Sequence, residues 1–594
     1  MMNLVAQLKL DAVAVVNELY GQQVDESIVK IDNTPPEFVG ELTLVIFPFV
    51  KISRKNPEVT AQEIGLALKA KNQDIADFNV VKGFLNISFT DIYWINVLKE
   101  IQSQKQFGIL PPTGKNVVLE YCGPNTNKPL HLGHVRNVLL GYATANILLA
   151  AGHTVHKVNI LNDRGIAICK SMIAYLQNGN GATPASTGIK GDHFVGKYYI
   201  EYAKIHEAEL NELIANGKTK EVAEKQTPIY LAAQEMLLKW EAGDKAVLDL
   251  WNMMNNWVYE GFAITYGKIG IDFEKEYKES EYYLHGKKMV QEGLDKGAFF
   301  KKEDGSIWVD LIADGLDEKV LLRADGTSVY ITQDMGIARA RYADFKMDTS
   351  VYVVANEQDY HFKVLKLALK KMGEPYADGI YHLNYGMVDL PEGKMKSREG
   401  TVVDADDLMS EMTLESQAFL AASEKSAGFT AIEKALLANQ IGMSALKYFI
   451  LKVDPKKRIL FNPKESIDLH GHTGPFIQYS YARIQSIFRK LTESGLIDFT
   501  IDANSLLPAE KSLIVLLNQY PGTVQTAAEN YSPAEIANYI YALAKQFNSF
   551  YAEYSITKAE NDEKLHLRAS MAQITAAIIK QGLKLLGIES PERM

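Results

Sequence analysis

The sequence predicts an α/β protein: a Rossmann-type parallel-sheet domain carrying a small N-terminal α/β domain and an all-α C-terminal bundle. Three observations carry that expectation. Strand-like and helix-period segments alternate from about 115 to 460, the pattern of a parallel sheet with crossovers. A shorter helix–strand–helix–strand series precedes them and closes at Pro111-Pro112-Thr113-Gly114. Beyond about 463 only helical periodicity remains. The expected domains are residues 1–112, 113–460 with a helical insertion near 180–262, and 461–594.

In the first domain Leu4, Leu8, Ala12, Val15 and Leu19 share a helical face, and the run from Leu42 to Phe49 reads as a strand. Thr60-Ala61-Gln62-Glu63, with Pro57 just before it, has a capping-box pattern and announces a second helix. Gly83 to Phe89 alternates like a strand.

The central domain opens on an apolar strand, Val117 to Tyr121, then a Pro- and Asn-rich loop and a helix running to Ala150. Leu132, Val135, Leu139, Ala143, Ile147 and Leu148 share one face of that helix, and Gly152 is a plausible stop. A second strand from Thr154 to Ile160 ends in the polar turn Asn162-Asp163-Arg164-Gly165. After the insertion the sheet is expected to resume near Val329 and to run through 351–355 and 381–388. Pro475, Phe476, Ile477, Tyr479, Ala482, Ile484 and Ile487 open the bundle, and Leu585-Leu586-Gly587 close its last helix.

Composition narrows the class. A chain of 594 residues, 47% hydrophobic, can bury several cores. A formal charge of -10 is the wrong sign for gripping nucleic acid by bulk attraction, so an RNA partner would be held on local basic faces. Two cysteines, Cys122 and Cys169, make neither a disulfide framework nor a zinc ribbon and point to a reducing compartment. Lys9 and Asp11 interrupt any signal-peptide core, and the longest apolar runs fall far below the roughly 20 residues of a membrane span. The expected setting is soluble and cytoplasmic, with no membrane partner and no structural metal.

Asn127-Lys128-Pro129-Leu130-His131-Leu132-Gly133-His134 is the most informative stretch. Composition alone would produce His-x-Gly-His about 0.02 times in a chain of this length. A helix start offers unpaired N–H groups and the positive end of a dipole. His131 and His134, three residues apart, can both donate to the same phosphates, and Gly133 lets a flat base or ribose approach the backbone. Locally the segment also fits a plain helix start with surface histidines. A metal pair fits less well, because helical ligands favour i, i+4 and Cys122 has no partner at ligand spacing.

A second basic segment, Gly393-Lys394-Met395-Lys396-Ser397-Arg398-Glu399-Gly400-Thr401, follows an apolar strand. Alone it reads as a solvated turn; its lysines could also close over polyphosphate. Together with His-x-Gly-His in one parallel α/β domain it resembles the class I aminoacyl-tRNA synthetases. Further segments narrow the resemblance to the arginyl-tRNA synthetases over nearly the whole chain. They are Glu120 to Asn125, Tyr330 to Asp334, Gln358-Asp359-Tyr360-His361, Asn384 to Val388, Gly474 to Tyr479 and the terminal Pro591-Glu592-Arg593-Met594.

That resemblance implies an arginine–tRNA ligase using L-arginine, ATP with Mg²⁺ and tRNA(Arg), often with tRNA needed even for activation. It places catalysis on His131, His134, Lys394 and Lys128, and ATP also on Gly133, Gly386, Met387 and Val388. It places arginine on Glu120, Asn125, Tyr330, Asp334 and Gln358; Tyr330 and Asp334 share a face if that segment is helical. The C-terminal bundle would meet the anticodon, through Tyr479, Tyr481, Arg483, Tyr551 and Tyr554, and the N-terminal domain the tRNA corner. Asp404 reads as a helix N-cap rather than a catalytic acid.

Two departures stand out. The class pattern Lys-Met-Ser-Lys is here Lys394-Met395-Lys396-Ser397, so Lys128 or Lys396 would replace the missing lysine, and Cys122-Gly123 stands where small hydroxyl residues are usual. The 260 residues between His134 and Lys394 leave little room for an editing domain. The competing expectations are a catalytically silent tRNA-binding paralogue and a small-molecule adenylyltransferase. The expected oligomeric state is a monomer.

Overall fold

The computed structural model describes residues 4–35, 37–389, 403–422 and 428–594. They fall into two compact units. The first comprises residues up to Phe107 with 483–521 and 542–578; the second comprises 108–482 with 522–541 and 579–594.

In the first unit an antiparallel sheet has the order Ile31–Asn33, Leu42–Val45, Phe84–Phe89, Ile75–Val81. The apolar run expected as one strand from Leu42 to Phe49 divides in two. The strand stops at Val45 and a helix, Phe47–Ser53, begins with Pro48 in its first turn, where a missing N–H costs nothing. The helix expected at Thr60 begins earlier, over Pro57–Lys71, and Asn56 caps it by accepting the Val59 N–H. Thr60 is instead fully buried against Ser53. The helix Asp91–Ser103 packs on Pro508–Asn518, with Asp91 accepting the Leu506 N–H at 3.1 Å.

The second unit is built on a five-stranded parallel sheet. Its order is Ile380–Tyr385, Thr349–Ala355, Asn116–Glu120, Thr154–Leu161, Lys275–Lys278. Val118, Val158, Tyr277, Met335, Tyr352 and Leu365 form its core with the covering helices. Because every pairing is parallel, all five strands deliver their C-terminal ends to one edge, where open α/β sheets bind ligands. The order reverses between Asn116–Glu120 and Thr349–Ala355, which opens the crevice there.

The sheet does not resume near Val329. That residue precedes the helix Tyr330–Phe345; the missing strand is Lys275–Lys278, too short and too charged to show an apolar run. A small antiparallel sheet, Phe300–Lys301, Ile307–Val309 and Lys319–Leu322, intervenes. The insertion is helical, dominated by Gly191–Ala215, Pro228–Glu241 and Lys245–Ile269. Asp163, fully buried at the end of the second strand, ties the insertion in place. Its carboxylate accepts the Ser280 N–H and the Ser280 and Tyr259 hydroxyls, and its carbonyl accepts Trp251 Nε1–H. Among the described residues no helix is long and apolar enough to cross a membrane.

Candidate active site

After Glu120 the chain leaves the sheet through Cys122 and Gly123, both at positive φ (84° and 61°). Asn137 and Asn159 hold this turn by accepting the Cys122 and Gly123 N–H groups at 2.6 and 3.0 Å. Asn125, exposed, bridges to Asn162, and the chain then reaches His131, the N-cap of the helix Leu132–Ala150.

The two histidines cap this helix reciprocally. Gly133 N–H donates to His131 Nδ1 at 3.1 Å, and His131 N–H donates to His134 Nδ1 at 3.2 Å. A neutral imidazole that accepts at Nδ1 carries its proton on Nε2, so both rings keep one N–H donor for a ligand. The ring centroids lie 3.9 Å apart. Burial, then the charge of Lys128, lowers His131 to about 4. His134 is driven well below the usual range by burial, His131 and Lys128. Both are therefore neutral donors at pH 7. A Cβ on Gly133 would come within 3.0 Å of the His131 ring, so the glycine also makes room for the cap.

The segment that follows the basic loop is laced to this helix start. Leu132 N–H donates to Val403 O at 2.9 Å and Ala405 N–H to Leu130 O at 3.0 Å. Asp404 is the N-cap of Ala405–Ala421, accepting from Asp406 and Asp407 N–H. Lys394 and Lys396 lie outside the described residues. Nearby, ligand atoms of Asp192, His193 and Asp406 lie within 4.8 Å of one another. Lysines already compensate the carboxylates there: Lys190 Nζ is 3.0 Å from Asp192 and 2.5 Å from Asp406, and Lys268 Nζ is 3.0 Å from Asp406. This is an ion-paired joint between the insertion and Ala405–Ala421, ill suited to a resident cation.

Gly386, Met387 and Val388 follow the edge strand Ile380–Tyr385. Gly386 N–H donates to Pro455 O, and a Cβ there would strike the Lys457 backbone at 2.9 Å. Met387 is half exposed, while its carbonyl accepts from Ile459 N–H and from Arg136 Nη1 at 3.0 Å. Arg136 also donates to Pro455 O and Lys457 O, at 2.8 and 2.7 Å, and is 2% exposed. Sequence reasoning missed it, although a lone arginine in an apolar helix beside Val135 was a visible signal.

Tyr330 and Asp334 lie one turn apart at the start of Tyr330–Phe345, as a helical segment requires; Tyr330 is 81% exposed. Asp334 Oδ2 is 2.5 Å from His361 Nε2. Glu279, which opens the helix Glu279–Asp295, accepts from Gln333 at 2.8 Å. Burial raises its carboxyl to about 7; Arg164 opposes the rise, and Asp163 and Asp334 add to it. Glu120 is buried and paired with the fully buried Arg341, which lies 5.2 and 5.3 Å from the Tyr277 and Tyr352 rings. Gln358 is exposed, ahead of the helix Asp359–Lys371. Glu279 is the second residue that sequence reasoning missed; a carboxylate among Lys278, Ser280 and Glu281 carries no local signal.

The C-terminal candidates differ in exposure. Tyr481 is 2% exposed and belongs to the core, which removes it as a stacking surface for bases. Tyr479 and Arg483 are partly buried on Gly474–Glu493, and Arg483 Nη1 donates to Asn548 at 2.6 Å. Tyr551 stacks on Phe547 with centroids 6.1 Å apart, and Tyr554 stacks on Phe550 at 5.8 Å.

A family model described as tRNA synthetases class I (R), catalytic domain, matches residues 96–462, and one for the DALR anticodon binding domain matches 477–594. The chain is 56% identical to an arginine–tRNA ligase of Bacteroides thetaiotaomicron over 580 residues, 97% of each chain. It is 50% identical to one from Porphyromonas gingivalis that it covers completely. Among solved structures, Thermus thermophilus arginyl-tRNA synthetase shares the fold over the full length of both chains, with a TM-score of 0.80 at 24% identity.

Proposed function

The chain belongs to the arginyl-tRNA synthetases of class I, and from that premise we infer how this site divides the work of the reaction. The protein is an arginine–tRNA ligase. In the first step the arginine carboxylate attacks the α-phosphate of ATP and pyrophosphate leaves. In the second, a terminal ribose hydroxyl of tRNA attacks the adenylate carbonyl and AMP leaves.

The observation that carries the assignment of roles is the His131–His134 cap. Two neutral Nε2–H donors, fixed by backbone bonds at a helix N-terminus, suit negative charge developing on the phosphates. Donors so placed need no reorganisation as the charge develops, and each is worth roughly 2.7–4 kcal/mol by analogy with an oxyanion-hole donor. Lys128, close enough to depress both imidazoles, adds positive charge, and Lys394 is assigned to the same phosphates. The Mg²⁺ that accompanies ATP as part of the substrate screens the polyphosphate. Met387 forms the adenine shelf, and Arg136 holds its carbonyl in place.

The guanidinium binds at Asp334, with Tyr330 one turn before it on the same helix and Glu279 as a second carboxylate. Partly buried carboxylates facing one another are costly alone and become favourable when a cation arrives between them. Glu120, already neutralised by Arg341, orients the α-amino end with Asn125 and Gln358 and adds no net charge. Such a pocket leaves polar groups unpaired when an apolar amino acid enters, a discrimination of about 10⁴–10⁵ that makes editing unnecessary.

Tyr479, Arg483 and Tyr551 are assigned to the anticodon, and the domains to 1–112, 113–460 and 461–594. Nothing among the described residues favours a silent paralogue or a small-molecule adenylyltransferase. We read the protein as a cytoplasmic monomer, consistent with two free buried cysteines and checked by its mass in solution.

The test of this reading charges total tRNA with each amino acid in turn. Arginine alone should be accepted efficiently, and arginine-dependent ATP–pyrophosphate exchange should be weak until tRNA is added. Preference for lysine or glutamine would overturn the pocket assignment. Robust exchange without RNA would overturn the tRNA dependence.

A further inference from the structure

The carboxylate assigned to the guanidinium already has a partner. Asp334 Oδ2 sits 2.5 Å from His361 Nε2, with the two side chains 29% and 23% exposed. They come from different helices: Asp334 from the second turn of Tyr330–Phe345, His361 from the first turn of Asp359–Lys371. The His361 ring stands edge-on to Phe362, centroids 5.4 Å apart, which limits its rotation.

We propose that His361 is a positioning residue for arginine recognition. In the empty site its imidazolium holds the Asp334 carboxylate, and the arriving guanidinium displaces that positive charge by expelling the ring's second proton to solvent. The balance is simple: the neutral ring keeps Nε2–H on Asp334 Oδ2, one proton leaves, and no other bond changes. The idea rests on the reading that Asp334 receives the guanidinium.

Geometry motivates it first. A second cation arriving at a carboxylate that already holds one is repelled by the first, which favours loss of one positive charge from the pair. The environment agrees. Burial works against a charged imidazole, yet the hydrogen bond and charge of Asp334 more than offset it and leave His361 above its ordinary 6.5. The groups facing the pair are Glu279, Tyr352 and the Glu120–Arg341 pair, which meet Asp334, and His382, which meets His361 and pairs with Asp359 at 2.9 Å. Of these, Glu279 can also release a proton when a cation binds, so the test must separate the two.

The experiment is calorimetric titration of the full chain with L-arginine, near neutral pH, in buffers of different ionisation enthalpy, repeated across pH. Wild type should release protons, and its affinity should weaken by up to about tenfold per pH unit below the raised imidazole pKa. H361Q should lose that share of the release and flatten the profile, while E279Q keeps it. No release by wild type, or equal release by H361Q and wild type, overturns the proposal; if H361Q does not fold, release that persists in E279Q supports it and release lost in E279Q overturns it. D334N binding arginine as wild type does would overturn the underlying assignment instead. Loss of binding in D334N beside an unchanged H361Q would sink only the role of His361.

Discussion

His134 Nδ1 accepts the backbone N–H of His131, and this bond makes the second histidine of the pair a structural cap beside the phosphate-donor role proposed for it. Cap and donor use opposite ring nitrogens, so they can be separated by substitution. His131→Asn keeps a side-chain acceptor at the N-cap and loses the distal N–H; its stability should stay within a few tenths of a kcal/mol of wild type while activation falls about 10²–10³-fold. His131→Ala should lose similar activity and also about 1 kcal/mol of stability. Denaturant unfolding beside pyrophosphate exchange checks both, and equal stability of the two variants would remove the capping argument.

Acid should destabilise this helix start in a defined window. His131 is lowered from 6.5 to about 4 in the folded chain, so between those values the unfolded chain binds a proton that the folded chain refuses. Its contribution is complete above pH 6.5 and is lost as pH falls toward 4, up to about 3 kcal/mol. His134, displaced in the same direction, adds to the slope. Thermal unfolding across this range should show a shallower decline in His131→Asn than in wild type.

Arg136→Met should remove the donor to three carbonyls, those of Met387, Pro455 and Lys457. Methionine fills much of the volume; Met387 O and Pro455 O keep the Ile459 and Gly386 N–H groups, but Lys457 O loses its Arg136 donor, at about 1–3 kcal/mol where water cannot reach it. With Met387 proposed as the adenine shelf, KM for ATP should rise by about tenfold or more with little change for arginine. An unchanged KM for ATP would show that the shelf does not depend on this anchor.

Glu279→Gln keeps the acceptor that Gln333 uses and removes the charge. KM for arginine should rise about 10–100-fold, a loss typical of a charge-assisted hydrogen bond, with KM for ATP nearly constant. Asp334→Asn should cost at least as much. If Glu279→Gln leaves the arginine KM unchanged, the second carboxylate lies outside the pocket's working set.

Lys128→Ala tests compensation for the lysine that the class pattern has where Ser397 stands. Loss of this charge should lower exchange about 10²-fold or more while arginine binding persists. Restoring the usual order with the double substitution Lys396→Ser and Ser397→Lys should recover part of the rate. Exchange that barely changes in Lys128→Ala would leave the two histidines and Lys394 as the phosphate machinery.

How much was legible beforehand follows from the range of the interactions. Local periodicity marked the helix Leu132–Ala150, the first two parallel strands, the helical insertion and Asp404 as a cap, because these features depend on neighbours within a turn or two. The strand Lys275–Lys278 stayed hidden because partners distant in sequence make it a strand, with no apolar run of its own. The same limit hid Asn56 as the cap of Pro57–Lys71, since both Asn56 and Thr60 carry a suitable oxygen and only packing buries the latter.

The sequence by itself determined the fold class, the phosphate-ready helix start with His131 and His134, and the likeness that identifies the reaction. Those lie in short contiguous segments whose chemistry is set by spacing. Tertiary structure decided that Arg136 anchors the Met387 carbonyl, that Glu120 arrives already paired with Arg341, and that Glu279 and His361 both face Asp334. Each of these joins strand ends or helix starts far apart in the chain. Only the parallel sheet, which carries all its C-terminal ends to one edge, brings them together.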